Sequence, residues 1–280
     1  MFDTLYNAID MLLPFQWLSH TFMKNAFIAI LIITPLFGLL STMVVSNKMS
    51  FFADSLGHGA FTGIAVGILL GGIDPMWGAT LFSVCFAIAI TIIKNKGTSS
   101  TDTIIGVFSS TSIALGLVLM SFSSSLSKFS SYLVGDLLSI SKGEIILLIF
   151  VFITVIILWA LIFNKLLVTS LNTSLANSRG MNTLLIEIIF TCTIAVIVTI
   201  TIRWVGLLII NSLLVLPAAA ARNISKNVRQ YHLFSVLIAI FSGITGLIIS
   251  YYLNTVTGAT IVLVSSAIFF ITLIVRRKFV

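Results

Sequence analysis

Apolar runs, each about as long as a bilayer is thick, succeed one another along almost the whole chain, with short polar stretches between them. A helix crosses the hydrocarbon layer in about 20 mostly apolar residues. Nine runs meet that length, at roughly 25–46, 51–72, 76–93, 103–122, 144–164, 184–202, 205–221, 233–253 and 257–275. Only Arg203 and Trp204 separate 184–202 from 205–221, so this pair reads as two short helices or as one broken element. The pattern predicts an all-α integral membrane protein, a polytopic helical bundle of about nine (8–10) transmembrane helices. Ahead of the first run, Leu5 to Phe22 mixes apolar residues with Asn7, Asp10, Gln16, Ser19 and His20. That mixture predicts an interfacial amphipathic helix. The expected organisation is an N-terminal interfacial segment, 1–22, followed by a transmembrane domain, 23–280. Asp3 and Asp10, with no basic stretch before the first run, do not make a signal peptide.

Composition strengthens this picture. The chain is 59% hydrophobic and 8% charged, where a soluble domain carries about 25% charged residues. It cannot dress a water-facing surface. The net charge of +7 would suggest nucleic acid in a soluble protein, but here the positions of the basic residues explain it. If the loops alternate sides, one side receives Lys48, Lys94, Lys96, Lys165, Arg179, Arg222, Lys226, Arg229, Arg276, Arg277 and Lys278. The other receives only Lys24, Lys128, Lys142 and Arg203. The positive-inside rule then makes the first side cytoplasmic. The C-terminus is expected inside, and the N-terminus outside for nine crossings. Cys85 and Cys192 fall inside apolar runs and read as small buried hydrophobes.

One polar pair interrupts the second run. Asp54 and His58 stand four residues apart in Phe51-Phe52-Ala53-Asp54-Ser55-Leu56-Gly57-His58-Gly59-Ala60-Phe61. Helical spacing puts them on one face. Ionisable groups at membrane depth cost a few kcal/mol and usually mark an ion or substrate path. A carboxylate oxygen and an imidazole nitrogen are also common ligands for divalent metals. The plainer alternative is a hydrogen-bonded pair that only fixes helix packing. Gly59, Gly63 and Gly67 share a second face, a small-xxx-small pattern that permits close helix approach. Leu216-Pro217-Ala218 predicts a helix break near the cytoplasmic end of its run. The longest cytoplasmic connection, 165–183, is polar and carries Arg179 and Gly180. On the outer side, 123–143 begins Ser-rich and then reads as a short re-entrant or surface helix. Glu187, His20 and His232 read as packing or interfacial residues.

At these residues the chain resembles a known family. Lys48 to His58 resembles the second-helix signature of the ABC-3 permeases, membrane subunits of bacterial zinc and manganese importers. Asp102-Thr103-Ile104-Ile105-Gly106-Val107 is similar to the start of their next helix. Ser131-Tyr132-Leu133-Val134-Gly135-Asp136-Leu137-Leu138 is similar to their outer segment, most of all as written in zinc-uptake permeases. The block Val205 to Arg222, with Pro217 and Ala218 to Ala221, is the most recognisable. Two positions depart from the family wording: Ala53 stands where Gly is usual, and Gly57 where Ser or Ala is usual.

The resemblance implies an ATP-binding cassette importer. Two copies form the pathway as a homodimer, and Asp54 and His58 of both make a transient metal site. Two ATPase subunits dock on the cytoplasmic loop around 165–183, where Ser174 to Gly180 is similar to the docking helix. An extracytoplasmic receptor delivers the metal, and Asp136 lies on that side as either a helix-capping or loop aspartate or a docking or entry-gate residue. The cargo is zinc, otherwise manganese, and no cofactor is held permanently. The implied place is the bacterial cytoplasmic membrane. Metal capture at such a site weakens in acid, because the ligands must be deprotonated to bind.

The chain contains no Gly-x4-Gly-Lys-Ser/Thr loop, no His-Glu-x-x-His and no Gly-x-Ser-x-Gly. It therefore reads as a transport subunit and not an enzyme, with ATP hydrolysis left to a partner. A proton-coupled secondary cation transporter, with Asp54 and His58 as a proton relay, is the competing reading.

Overall fold

The computed structural model describes residues 2–70, 75–97, 99–122 and 135–279. Most of the outer segment 123–143 therefore lies outside the described residues, as does Asp74. Among them the only regular elements are helices: α1 (Phe2–Leu12), α2 (Thr21–Ser46), α3 (Phe52–Leu70), α4 (Pro75–Lys96), α5 (Thr101–Ser121), α6 (Lys142–Leu171), α7 (Thr173–Ser178), α8 (Thr183–Val205), α9 (Leu207–Leu213), α10 (Leu216–Ile224), α11 (Val228–Leu253) and α12 (Thr257–Phe279). Single 3-10 turns lie at Gln16–Leu18 and Leu137–Ser139. Eight of the helices, α2 to α6, α8, α11 and α12, are long and apolar enough to cross a membrane.

The expected run 205–221 is the exception. It is broken into α9 and α10. Gly206, at φ +84°, caps α8 and starts the break, a conformation that favours glycine. Pro217 does not kink one continuous helix. It stands in the first turn of α10, where a missing N–H costs nothing. A second difference concerns α6, expected at 144–164 but 30 residues long. At about 1.5 Å per residue it measures roughly 45 Å, beyond the ~30 Å hydrocarbon layer. Cys85 is a third: it is exposed, and Cys192 is half-buried. A run that is apolar all round does not distinguish its lipid side from its protein side.

The helices pack as two compact units. The first comprises 1–42, 135–156 and 212–280; the second comprises 43–134 and 157–211. In the first unit α2 runs antiparallel to α11. Tyr231 donates to the Thr42 carbonyl at 3.3 Å, Ser41 and Ser235 hydroxyls meet at 2.9 Å, and a Cβ on Gly243 would lie 2.5 Å from Thr34. The opposite end of α2 is clasped by α1: Tyr6 donates to Asn25, and Lys24 pairs with Asp10 at 2.6 Å. Asn25 also donates to the Ile140 carbonyl at 3.1 Å. Asn223 donates to Thr272 at 3.3 Å, joining α10 to the far part of α12.

In the second unit α3 packs against α4, α5 and α8. The glycine face is the seam with α4. A Cβ on Gly63 would lie 2.5 Å from the Gly78 carbonyl oxygen and 2.7 Å from the Ala79 Cα. Backbone rests on backbone there. Phe86 covers Gly59. Helices α4 and α8 are joined by a polar clamp: Lys94 pairs with one Glu187 oxygen, and Asn95 donates to the other at 2.7 Å. One turn further, the Thr91 and Thr191 hydroxyls meet at 2.9 Å.

Two stability outcomes follow from this packing. Gly63→Ala lowers the thermal unfolding midpoint of the detergent-solubilised protein, at a cost of about 1–3 kcal/mol for overpacking. Gly106→Ala, which meets nothing within 4 Å, leaves it unchanged or raises it slightly. Glu187→Ala strips a largely buried Lys94 of its partner and costs about 3 kcal/mol, while Glu187→Gln, which keeps an acceptor, costs less. An unchanged midpoint in Gly63→Ala or Glu187→Ala would show that these contacts do not hold the unit together.

Candidate metal centre

A tight turn delivers the pair into its helix. Helix α2 ends through Lys48, at φ +56°, and Met49 donates its N–H to the Val44 carbonyl at 3.0 Å. Helix α3 starts at Phe52, whose side chain is fully buried together with that of Leu56. Asp54 falls in the first turn, where the helix dipole favours a carboxylate. The spacing places His58 directly above it. Asp54 Oδ2 and His58 Nε2 are 3.5 Å apart, with side chains 36% and 21% exposed. A strong charged hydrogen bond would close to about 2.7–2.9 Å. The pair is half-open and is not locked onto itself.

The helix backbone beneath the pair is held from three sides. The His58 carbonyl accepts from Ser112 of α5 at 3.1 Å and from Thr62 at 3.3 Å. Thr62 in turn donates to the Ser112 carbonyl at 2.6 Å. Ser83 of α4 donates to the Leu56 carbonyl at 3.4 Å. Leu207, the first residue of α9, lies over Gly57 so closely that a Cβ there would come within 1.7 Å of its Cδ1. The Gly57 departure from the family wording thus makes room for Leu207. Thr62 and Ser112 went unnoticed in the sequence. Thr62 follows His58 by one turn, and Ser112 ends the polar run Ser109-Ser110-Thr111. Neither pattern distinguishes a brace from an ordinary buried hydroxyl.

No group of three or more His, Cys, Asp or Glu side chains forms among the described residues. Asp54 and His58 therefore stand as a pair, with no third such side chain beside them among the described residues. The other candidates lie elsewhere. Glu187 belongs to the clamp with Lys94. Asp136 is exposed at the start of the 3-10 turn, and its carbonyl, not its carboxylate, receives Ser139. His20 stacks on Phe22, and His232 Nδ1 lies 2.8 Å from the Val228 carbonyl oxygen. In the 165–183 connection, α7 is capped by the Asn172 side chain and exposes every residue but Ala176.

Comparison with known proteins extends these observations. The sequence matches the ABC 3 transport family over residues 19–276. It is 31% identical to the membrane protein ZnuB of the high-affinity zinc uptake system of Buchnera aphidicola, over 86% of this chain and 93% of that one. It is 26% identical to the manganese transport system membrane protein MntC of Listeria monocytogenes, over 93% of each. Among solved structures, PsaBC from Streptococcus pneumoniae in complex with Fab superposes with a TM-score of 0.79 at 25% identity, covering 97% of this chain and 95% of that one. With eight apolar helices of crossing length and a match that spans nearly its whole length, this multi-pass membrane protein belongs to the ABC 3 transport family.

Proposed function

We propose that the chain is the membrane-spanning permease subunit of an ATP-binding cassette importer that carries zinc, or otherwise manganese, into the cytoplasm. The observation that carries this reading is the half-open Asp54–His58 pair at 3.5 Å on a membrane-crossing helix. Zinc and manganese uptake are what the relatives are named for. Two ligands are too few to hold a metal, and a two-fold axis beside α3 would bring a second pair alongside. Two oxygens and two nitrogens suit tetrahedral zinc. The same four with added water suit manganese. An incomplete shell from each copy also lets the ion leave, which a transport site requires.

The exposed helix α7, Thr173–Ser178, is the docking element for the ATPase subunit in this reading. Asn182 caps α8 directly behind it, and Thr183 donates to Asn177 at 3.1 Å. The receptor meets the opposite face, where Asp136 is exposed. Residues 1–22 lie along the outer interface, ahead of one permease domain, 23–280. The membrane is the bacterial cytoplasmic membrane, with the C-terminus inside by the positive-inside rule.

The test is metal uptake into proteoliposomes that hold this chain with its ATPase partner and receptor. Uptake of zinc or manganese is expected to require ATP. Asp54→Asn and His58→Ala each reduce it by at least about tenfold, as losses around metal ligands do, while the complex still assembles. Unaltered flux in both variants would return the pair to a packing role. Uptake by this chain alone, without ATP, would replace the reading with a proton-coupled carrier.

A further inference from the structure

Helix α9 begins at Leu207, directly after the Gly206 break, and belongs through Asn211 to the same packing unit as α3. The Ile210 N–H closes onto the Gly206 carbonyl at 3.2 Å, so its first turn is helical. Leu207 is the residue that covers Gly57. Asn211 follows Leu207 by four positions and so shares its face. Gly57 stands between Asp54 and His58 in sequence. The face of α9 that carries Asn211 is thus turned to the part of α3 that carries the pair.

The Asn211 carboxamide oxygen Oδ1 is buried and accepts no hydrogen bond among the described residues. Leaving a buried acceptor idle costs free energy, and native structures mostly avoid it. The asparagines that serve structure behave otherwise. Asn172, Asn182 and Asn227 accept from the backbone N–H groups of Leu175, Leu185 and Gln230 at 3.1, 3.0 and 2.9 Å. Across the break from Asn211, Trp204 Nε1 is a buried donor that is also without a partner, and the two are not bonded to each other. A packing role does not account for this oxygen.

A divalent cation does. A carboxamide oxygen is a hard, uncharged donor, and transporters gather ion ligands where a crossing helix is broken. Zinc is satisfied by four nitrogen and oxygen ligands. Manganese prefers an octahedral, oxygen-rich shell, so an added oxygen favours it over zinc.

We propose that Asn211 is a specificity-determining residue of the ion path, its Oδ1 adding an oxygen donor beside Asp54 and His58 so that the site takes manganese as well as zinc. The inference rests on the importer reading of that pair and extends it to the broken segment.

The experiment uses the purified chain with its ATPase partner in detergent, without the receptor, whose own choice of metal then does not enter. Manganese binding is read from the electron paramagnetic resonance of the free ion, and zinc binding from its displacement of manganese. Asn211→Leu, nearly the same shape without the oxygen, is expected to weaken manganese about tenfold more than zinc, the scale of losses around metal sites. Asn211→Asp, which keeps an oxygen, retains manganese. Without metal, the unfolding midpoint of Asn211→Leu is unchanged or raised, because an idle buried oxygen is gone. A lowered midpoint with both metals weakened alike would make Asn211 a packing residue and overturn the proposal. Unchanged manganese affinity in Asn211→Leu, or a wild-type protein that binds no manganese, would overturn it too. Asp54→Asn, measured alongside, is expected to weaken both metals. If it does so while Asn211→Leu alters neither, the importer reading stands and this inference alone fails. If Asp54→Asn alters neither, the pair is not the site and this inference falls with it.

Discussion

A bilayer offers its proteins no hydrogen-bond partners, and that one constraint accounts for how this chain disposes of its polar residues. Several buried hydroxyls close onto backbone carbonyls, Thr34 onto Ile30 at 2.8 Å, Ser235 onto Gly38 at 2.6 Å and Thr62 onto Ser112 at 2.6 Å, while those of Ser55 and Ser265 do not. Glu187 meets Lys94 and Asn95 together, so its charge is not left bare. The closures of Ser235, Thr62 and Glu187 also join two helices, so satisfying these polar groups and packing the unit are one process. Asp54 and His58 are different. Their separation of 3.5 Å leaves acceptor and donor capacity unspent in a place where leaving it unspent costs free energy. The carbonyl under His58 is meanwhile held by Ser112 and Thr62. In the proposed importer, a braced backbone carrying two side chains not closed onto each other would suit a transient ion site, since preorganisation and weak closure are both required for capture and release.

Much of the fold could be read in the sequence because span length is fixed by bilayer thickness. Eight runs become single helices, and the run whose boundaries were least defined becomes α9 and α10. The cue was present in Gly206 and Pro217, but their consequence depends on tertiary contacts. The length of α6 was not readable, since Lys165 marks a polarity change and not a helix end. The side of Cys85 was not readable either, because hydropathy is blind to whether an apolar face meets lipid or protein. For the site, spacing alone placed Asp54 and His58 on one face and the glycines on another. The braces Thr62 and Ser112, and Leu207 over Gly57, join residues about 50 or more positions apart in a helical bundle, a relation that periodicity does not encode.

The break between α8 and α11 bears on topology. In the proposed topology, Arg179 and Arg229 both lie on the cytoplasmic side by alternation and the positive-inside rule. Helix α8 leaves that side after Arg179, and α11 starts from it at Arg229. That topology has the stretch between them return across the membrane. A continuous helix of the 18 residues 207–224 would be about 27 Å long at 1.5 Å per residue, close to the hydrocarbon thickness of ~30 Å. A broken helix at that depth leaves backbone groups without intrahelical partners, and this is tolerated only inside protein. The surroundings meet that condition: Ile209, Ile210, Leu213, Leu214, Ala218, Ala220 and Ala221 are all buried. In that topology the ninth apolar run is a discontinuous crossing beside the eight long helices among the described residues. Its first residue lies against α3 at Gly57, next to His58. Discontinuous crossings are where transporters concentrate their binding sites. In the proposed importer, that sets the break in the backbone beside Asp54 and His58.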